Sequence, residues 1–191
     1  NKTIPAKGKA TYIGFDHSGV HPAAVISQVT ESGRLILGEL VVGEMIVEEF
    51  IEDVLETYIA LMGIDKQDCW IILDPADPRG KNKNATTRQL LVKRGFKPSQ
   101  VFHISHKHQS PQIRQDTVTS YLQRYMIKVS PECKTLIGAM RGKYAREKVR
   151  GTDIYKAIPD AEKLHPWSDV VDALQYLCVY WRYGRGFERD A

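Results

Sequence analysis

The chain has 191 residues, which is enough for one domain with a substantial buried core. Apolar residues make up 42% and charged residues 26%, which is typical of a globular protein, and no apolar run approaches the roughly 20 residues of a membrane-spanning helix. The net charge of +4 permits a polyanionic partner without requiring one. The three cysteines lie far apart, which is typical of reduced thiols in a cytosolic protein.

The first third of the chain is predicted to form three strands and one helix. ATYIGFD, PAAVISQVT and RLILGELVV have the composition of strands, and ESG between the last two is typical of a short hairpin turn. In the first strand, Ile13 and Phe15 are predicted on one face and Tyr12, Gly14 and Asp16 on the other. EMIVEEFIEDVLETYIALMG has apolar residues at helical spacing and ends at a glycine, which predicts an amphipathic helix.

The remainder alternates strands with helices and then becomes helical. DCWIILDPAD and QVFHI are predicted strands, separated by the short helix ATTRQLLVKRGF. QIRQDTVTSYLQRYM and PECKTLIGAMRGKY are predicted helices, and a last helix runs from about Pro166 to Tyr183. Hairpin connections followed by helical crossovers predict an α/β fold, with three antiparallel strands and then parallel strands in one mixed sheet flanked by helices.

Four aspartates occupy positions where such a fold brings side chains together. Asp16 ends the first strand and Asp74 the fourth, and residues at the carboxyl ends of neighbouring strands converge in an open α/β sheet. Asp169 and Asp172 begin the last helix, where positions i and i+3 share one face. Each acid alone also has an ordinary explanation, as a turn residue or as a helix-end charge.

Grouped carboxylates favour one kind of chemistry. Because they repel each other and raise each other's pKa, a divalent cation is a natural partner, and Mg²⁺ and Mn²⁺ prefer oxygen ligands. Two such ions about 4 Å apart can activate a water and stabilise the leaving oxygen during phosphodiester cleavage. The combination of the three acidic positions therefore predicts metal-assisted phosphoryl transfer.

Three segments, YIGFDHSGVHPAAVISQVTESGRLILGEL, WIILDPAD and HPWSDVVDALQYL, resemble the C-terminal nuclease domain of the large terminase subunit of tailed bacteriophages. The resemblance implies a ribonuclease-H-like fold and an endonuclease that uses two Mg²⁺ or Mn²⁺ ions to cut concatemeric viral DNA during genome packaging, with little sequence specificity. By motif, Asp16, Asp74 and Asp169 are its catalytic, metal-binding acids. Asp172 is a further metal-ligand candidate, and the choice between Asp169 and Asp172 as the main helix ligand stays open.

The resemblance also implies a cellular setting. It leads us to expect that residues 1–191 form a single nuclease domain, a piece of a longer ATPase–nuclease protein of the host cell cytoplasm. The chain contains no G-x-x-x-x-G-K-[ST] phosphate loop, so we expect no ATP hydrolysis from it. The implied partners are double-stranded DNA, the portal protein and the small terminase subunit, with no membrane.

Basic residues flanking the acidic motifs are candidates for phosphate contacts. Such contacts provide affinity with little sequence preference. The candidates are Arg79, Lys81, Lys83, Arg88, Lys107 and Lys143. Two alternatives remain open at this point: another ribonuclease-H-like nuclease (a Holliday-junction resolvase, a transposase or ribonuclease H), or a non-catalytic nucleic-acid-binding module whose acids are caps and turns.

Overall fold

A computed structural model describes residues 4–17, 20–31, 33–75, 85–144, 151 and 164–184. Its strands form one six-stranded sheet in the order β5-β4-β1-β2-β3-β6. The strands are β1 (Thr11–Asp16), β2 (Ala23–Thr30), β3 (Gly33–Val41), β4 (Cys69–Leu73), β5 (Val101–His103) and β6 (Ile127–Val129). Strands β1, β2 and β3 are antiparallel, whereas β4, β5 and β6 each lie parallel to their neighbours. The predicted mixed sheet is therefore confirmed.

Helices cover both faces of this sheet. They are α1 (Val47–Glu49, continued by Phe50–Leu55 and Glu56–Leu61), α2 (Thr87–Lys93), α3 (Pro111–Gln123), α4 (Lys134–Gly138, continued by Ala139–Lys143) and α5 (Trp167–Tyr183). Single 3₁₀ turns lie at Lys66–Asp68, Pro98–Gln100 and His106–His108. None of the described helices combines the length and apolar composition that crossing a bilayer requires.

Two predicted helices differ from the structure. The helix predicted over QIRQDTVTSYLQRYM ends at Gln123, and the chain turns through Tyr125, whose φ is 55°, into β6. Strand β6 escaped prediction because it has only three residues, with the polar Lys128 at its centre. In the helix predicted over PECKTLIGAMRGKY, Gly142 adopts φ 109° and interrupts the regular backbone.

Alternation along β1 separates two cores, as predicted. Ile13 and Phe15 are completely buried in the cluster that includes α1. Tyr12 points to the other face, into the cluster that includes α3 and α5. Asp16 therefore belongs to the α5 face of the sheet, because side chains two residues apart along a strand share a face.

Helix α5 lies directly on β1 at Gly14. A Cβ atom at this glycine would lie 2.1 Å from the carbonyl oxygen of Ala173 and 2.7 Å from Cγ of Leu177. Only a residue without a side chain permits this approach of helix backbone to strand. The close contact fixes the position of α5, and with it the height of the helix's first turns above the carboxyl end of β1.

The three cysteines, Cys69, Cys133 and Cys178, are buried free thiols. Burial raises the pKa of Cys69 and of Cys133 to about 12, and raises the pKa of Cys178 still further. Because the thiolate is the nucleophile, we expect iodoacetamide at pH 8 to leave the native protein unmodified and to alkylate all three thiols in denaturant. Mass spectrometry measures this difference, and rapid labelling of native protein would contradict the described burial.

Candidate active site

The parallel pairing of β1 and β4 brings Asp16 and Asp74 side by side. Phe15 pairs with Leu73, so the two aspartates are the next residues on adjacent strands, whose backbones lie about 4.8 Å apart. Ile72 belongs to the core on the α5 face, so the same alternation directs Asp74 toward α5. Asp16 is only 1% exposed. The predicted convergence of strand-end acids is therefore present.

The first two turns of α5 bring two buried acids to this face of the sheet. Asp169 is 4% exposed and Asp172 is 6% exposed. Helix α5 reaches this position because the residues of its apolar stripe, including Val170 and Leu174, are almost completely buried against the sheet and the neighbouring helices.

Tyr176, one turn beyond Asp172, links the acids. Its hydroxyl donates a 2.6 Å hydrogen bond to Oδ2 of Asp74. Burial raises the pKa of Tyr176 well above its ordinary value, and the negative charges of Asp16 and Asp172 add to that effect. The phenol therefore remains a proton donor at neutral pH, surrounded by the carboxylates of Asp16, Asp74 and Asp172.

Arg114 reaches the same place from α3. Its Nη1 lies 3.6 Å from Oδ1 of Asp172, and its guanidinium carbon lies 5.2 Å from the centre of the Tyr176 ring. Burial disfavours the cation, but the charges of Asp172 and the other acids outweigh burial, so the pKa of Arg114 is raised. A permanent positive charge thus stands among the acids.

Asp169 has different partners from Asp172. Nδ1 of His165 lies 2.9 and 2.7 Å from its two carboxylate oxygens, and the Ser168 hydroxyl donates to Oδ1 at 3.1 Å. The ring of His165 stacks on His21 with centroids 4.0 Å apart. Because His21 precedes β2, which pairs antiparallel with β1, this places Asp169 at the end of the sheet where β1 finishes.

Two further histidines border the site. Nδ1 of His103, at the end of β5, donates to the backbone oxygen of Asp74 at 2.7 Å. The ring of His17 lies 6.4 Å from that of His103, and its Nδ1 is 3.1 Å from the Thr87 hydroxyl.

Sequence analysis missed Tyr176 and Arg114 as members of this site. The spacing of Tyr176, four residues after Asp172, was a usable signal, because positions i and i+4 share a helix face. His17, which follows Asp16, lies instead on the opposite face of the sheet, where its ring is 5.9 Å from that of Phe15. Arg114 had no such signal, because it lies on a different helix from the acids.

The predicted DNA-binding residues fall into three groups. Arg79, Lys81 and Lys83 lie outside the described residues. Arg88 is exposed, but its guanidinium donates to the backbone oxygens of Val101 and Pro98, at 3.3 and 2.9 Å, which anchors α2 to β5. Lys107 is exposed in the turn after β5, and the ammonium of Lys143 lies 5.3 Å from the centre of the Trp167 ring.

Lys143 belongs to a basic groove on the α5 face of the sheet. The groove has a volume of about 530 Å³ and is lined by Pro131, Lys134, Ile137, Gly138, Arg141 and Lys143. Helix α4 is fixed there because the Glu39 carboxylate accepts hydrogen bonds of 2.7 Å from the first amides of the helix. Glu39, which holds α4, pairs with Val25 on β2, and Val25 pairs with Gly14 on β1. Two strand spacings therefore separate this end of α4 from β1, about 10 Å, near the end of β1 that carries Asp16.

The donor set suits a hard divalent cation, although the described residues include no group of three or more acidic, histidine or cysteine side chains already arranged to hold a metal ion. In the described conformation each of three acids faces a protein partner: Asp74 faces Tyr176, Asp172 faces Arg114, and Asp169 faces His165. Carboxylate oxygens are the ligands that Mg²⁺ and Mn²⁺ prefer, and these acids have no competing thiolate nearby. The chemistry of the site therefore fits such a cation once the carboxylates turn toward it.

No family model and no curated protein sequence matches the chain. Solved structures do. The large terminase of a thermophilic bacteriophage superposes with a TM-score of 0.67 at 18% identity, over 93% of this chain and 41% of that protein. The nuclease domain of the P22 large terminase superposes with a TM-score of 0.61 at 13% identity, over 97% of this chain and 89% of that domain. The large terminase nuclease domain of bacteriophage SPP1 with bound Mn superposes with a TM-score of 0.51 at 13% identity, over 92% of this chain and 88% of that domain.

The likeness covers nearly the whole of this chain, which spans about two fifths of the large terminase from the thermophilic bacteriophage. It also covers most of each isolated nuclease domain. The ribonuclease-H-like mixed sheet expected from the resemblance is thereby confirmed, and the chain has the fold of the nuclease domains of large terminases.

Proposed function

We propose that this chain is a metal-dependent endodeoxyribonuclease that cuts double-stranded viral DNA during genome packaging. The observation that carries the proposal is the gathering of Asp16, Asp74 and Asp172 around Tyr176, at the end of a sheet shared with large terminase nuclease domains. Acids from two strands and a helix, of which Asp16 and Asp172 are buried, have little structural reason to meet, because a carboxylate is expensive to bury without a positive charge beside it.

In this proposal the four aspartates hold two Mg²⁺ or Mn²⁺ ions. Asp16, Asp74 and Asp172 serve one ion, and Asp169, oriented by His165, completes the ligands of the second. The bound manganese of the SPP1 domain supports the choice of a divalent cation. When bound, such ions lower the pKa of the attacking water and offset charge on the scissile phosphate. The chain's own part is to orient the carboxylates, through the Tyr176 hydroxyl at Asp74 and the His165 ring at Asp169.

The basic groove supplies the positive charge that DNA needs beside four acids. Lys134, Arg141 and Lys143 line it on the α5 face of the sheet. A phosphate backbone can therefore run from the groove to the four aspartates, which we call the acidic cluster. The contacts would be made to phosphates and not to base edges, which agrees with cleavage of little sequence specificity. In the same proposal Lys107, exposed in the turn after β5, contacts the DNA backbone on the other side of the acids.

Removing two groove cations should weaken DNA binding in a salt-dependent way. For Lys134→Ala combined with Lys143→Ala, we expect the slope of log K against log salt to fall by about 2, because each lost phosphate contact removes about 0.9 from the slope. Fluorescence anisotropy with a labelled duplex in EDTA measures this without cleavage. The matched control is Lys7→Ala with Lys9→Ala, two exposed lysines before β1 at the opposite end of the sheet. Equal slopes for both double variants would remove the groove from the DNA path.

The biological setting follows from the same proposal. The chain would act as the nuclease part of a large terminase in the host cell cytoplasm, with the portal protein and the small terminase subunit as partners. These assignments rest on the fold shared with large terminases.

Incubation with supercoiled plasmid tests the activity. We expect linear and relaxed products with Mn²⁺ or Mg²⁺ and none with EDTA. Parallel reactions with four-way junctions and RNA–DNA hybrids test the alternatives, since strict preference for either substrate favours a resolvase or a ribonuclease H. Binding of duplex without cleavage under any metal condition favours the non-catalytic binding module.

A further inference from the structure

We propose that Arg114 and Tyr176 are positioning residues that hold the acidic cluster together before a cation binds, with Arg114 as a stand-in for the cation's charge. The inference rests on the proposed function and assigns roles to two residues outside the four aspartates. It concerns the cation-free protein, in which carboxylates from β1, β4 and α5 already lie close together.

Arg114 is suited to the role because it brings a positive charge to these acids from a separate helix. Its side chain is only 12% exposed, and Nη1 lies 3.6 Å from Oδ1 of Asp172. That distance is longer than a good hydrogen bond, so the contact is mainly one of charge. The guanidinium also lies over the Tyr176 ring, 5.2 Å from its centre, which keeps it near the acids without a tight carboxylate pair.

Tyr176 has a complementary role. Its hydroxyl donates to Oδ2 of Asp74 at 2.6 Å. The hydrogen bond orients a carboxylate that directly follows the end of β4. Partners of this kind typically set metal affinity or activity by about 10- to 100-fold, because they fix the direction in which the ligand points.

The two residues should therefore change cation affinity in opposite directions. Loss of Arg114 removes a positive charge that repels an entering cation, so the affinity for the cation should increase. Loss of the Tyr176 hydroxyl removes the orientation of Asp74, so the affinity should decrease. A purely structural pair would change stability alone and would leave cation affinity as in the wild type.

Arg114→Met tests whether the positive charge of Arg114 stands in for that of the cation. Without cation, the carboxylates lose their compensating charge, so the melting temperature in EDTA should fall. With saturating Mn²⁺, the cation replaces the lost charge, so the Mn²⁺-induced rise in melting temperature should exceed that of the wild type. Mn²⁺ binding, measured by electron paramagnetic resonance, should tighten on the order of ten-fold.

Arg34→Met is the matched control. Arg34 also packs over aromatic rings, with its guanidinium carbon 5.2 Å from the centres of both Tyr121 and Trp181, but it lies on β3 among aromatic side chains. Its replacement should lower the melting temperature equally with and without Mn²⁺. If Arg114→Met behaves in the same way, with unchanged Mn²⁺ affinity, the proposed role of Arg114 is wrong.

Tyr176→Phe tests the orientation of Asp74. Mn²⁺ binding should weaken by about 10- to 100-fold, whereas Tyr180→Phe, which removes a hydroxyl from another buried tyrosine one turn further along α5, should leave it unchanged. Unchanged Mn²⁺ affinity in Tyr176→Phe would refute its role as a positioning residue. Failure of the wild type to bind Mn²⁺ would overturn both this inference and the proposed function. Binding of Mn²⁺ by the wild type, with unchanged affinity in Arg114→Met and Tyr176→Phe, would overturn only the inference.

Discussion

Asp74→Asn should slow DNA cleavage about 10³-fold while leaving the fold intact. The amide oxygen of Asn can still accept the hydrogen bond from the Tyr176 hydroxyl, so the local packing survives. What disappears is one negative ligand of the proposed cations. If that ligand supports about 4 kcal/mol of transition-state stabilisation, the rate of plasmid cleavage falls about 10³-fold.

The control for this experiment is Asp68→Asn, the same chemical change immediately before β4, at the opposite end of that strand from Asp74. Its cleavage rate should equal that of the wild type. Both variants should melt within a few degrees of the wild type. Undiminished cleavage by a folded Asp74→Asn protein would exclude Asp74 from the reaction and would favour the view that the strand-end acids are only turn residues.

Gly14→Ala should strongly reduce the stability of the protein. The added carbon would lie 2.1 Å from the Ala173 carbonyl oxygen, which belongs to the backbone of α5 and has no rotamer with which to move away. The helix must shift or the strand must bend, at a cost of about 3 kcal/mol or more. For a domain of this size that corresponds to a fall of about 10 °C in melting temperature.

Gly43→Ala is the matched control, because a Cβ atom at Gly43 would meet no heavy atom within 4 Å. Its melting temperature should stay close to that of the wild type. Gly14→Ala should also cleave poorly at temperatures where it remains folded, since displacement of α5 moves Asp169 and Asp172 away from Asp16 and Asp74. A Gly14→Ala protein of wild-type stability would contradict the described contact between α5 and β1.

Sequence alone could predict where the four aspartates lie, because their positions depend on local patterns of strand and helix. Alternation in ATYIGFD assigns Asp16 to the face opposite Phe15, and the parallel crossover to β4 then brings Asp74 beside it. The register of two neighbouring strands requires no knowledge of side-chain packing. The spacing of Asp169 and Asp172 was readable for the same reason, since one turn of helix places both on one side.

The long-range contact that gives Asp172 its protein partner could not be predicted from local sequence patterns. Arg114 meets Asp172 only because α3 packs across α5, a contact between helices more than 40 residues apart in sequence that no periodicity encodes. Sequence therefore could not assign Arg114 to Asp172, whereas the pairing of His165 with Asp169, four residues later, is local and was within reach of sequence analysis. The metal-ligand and catalytic roles of the four aspartates remain predictions until they are measured.

Arg88 illustrates a limit of charge patterns. A basic residue near an acidic motif is a candidate for phosphate binding, but two of the five N–H groups of Arg88 donate to the carbonyl oxygens of Pro98 and Val101. Sequence analysis cannot predict these two hydrogen bonds to backbone oxygens, because they depend on where the turn before β5 lies relative to α2.

The central claim is that aspartates from β1, β4 and α5 jointly bind divalent cations. Crystals of the protein soaked in Mn²⁺, with diffraction data collected at the manganese absorption edge, test it most directly. The account predicts anomalous density about 2.1 Å from carboxylate oxygens of both Asp16 and Asp74, with an aspartate of α5 as a further ligand. Anomalous density confined to other parts of the protein, or absent at saturating Mn²⁺, would contradict it.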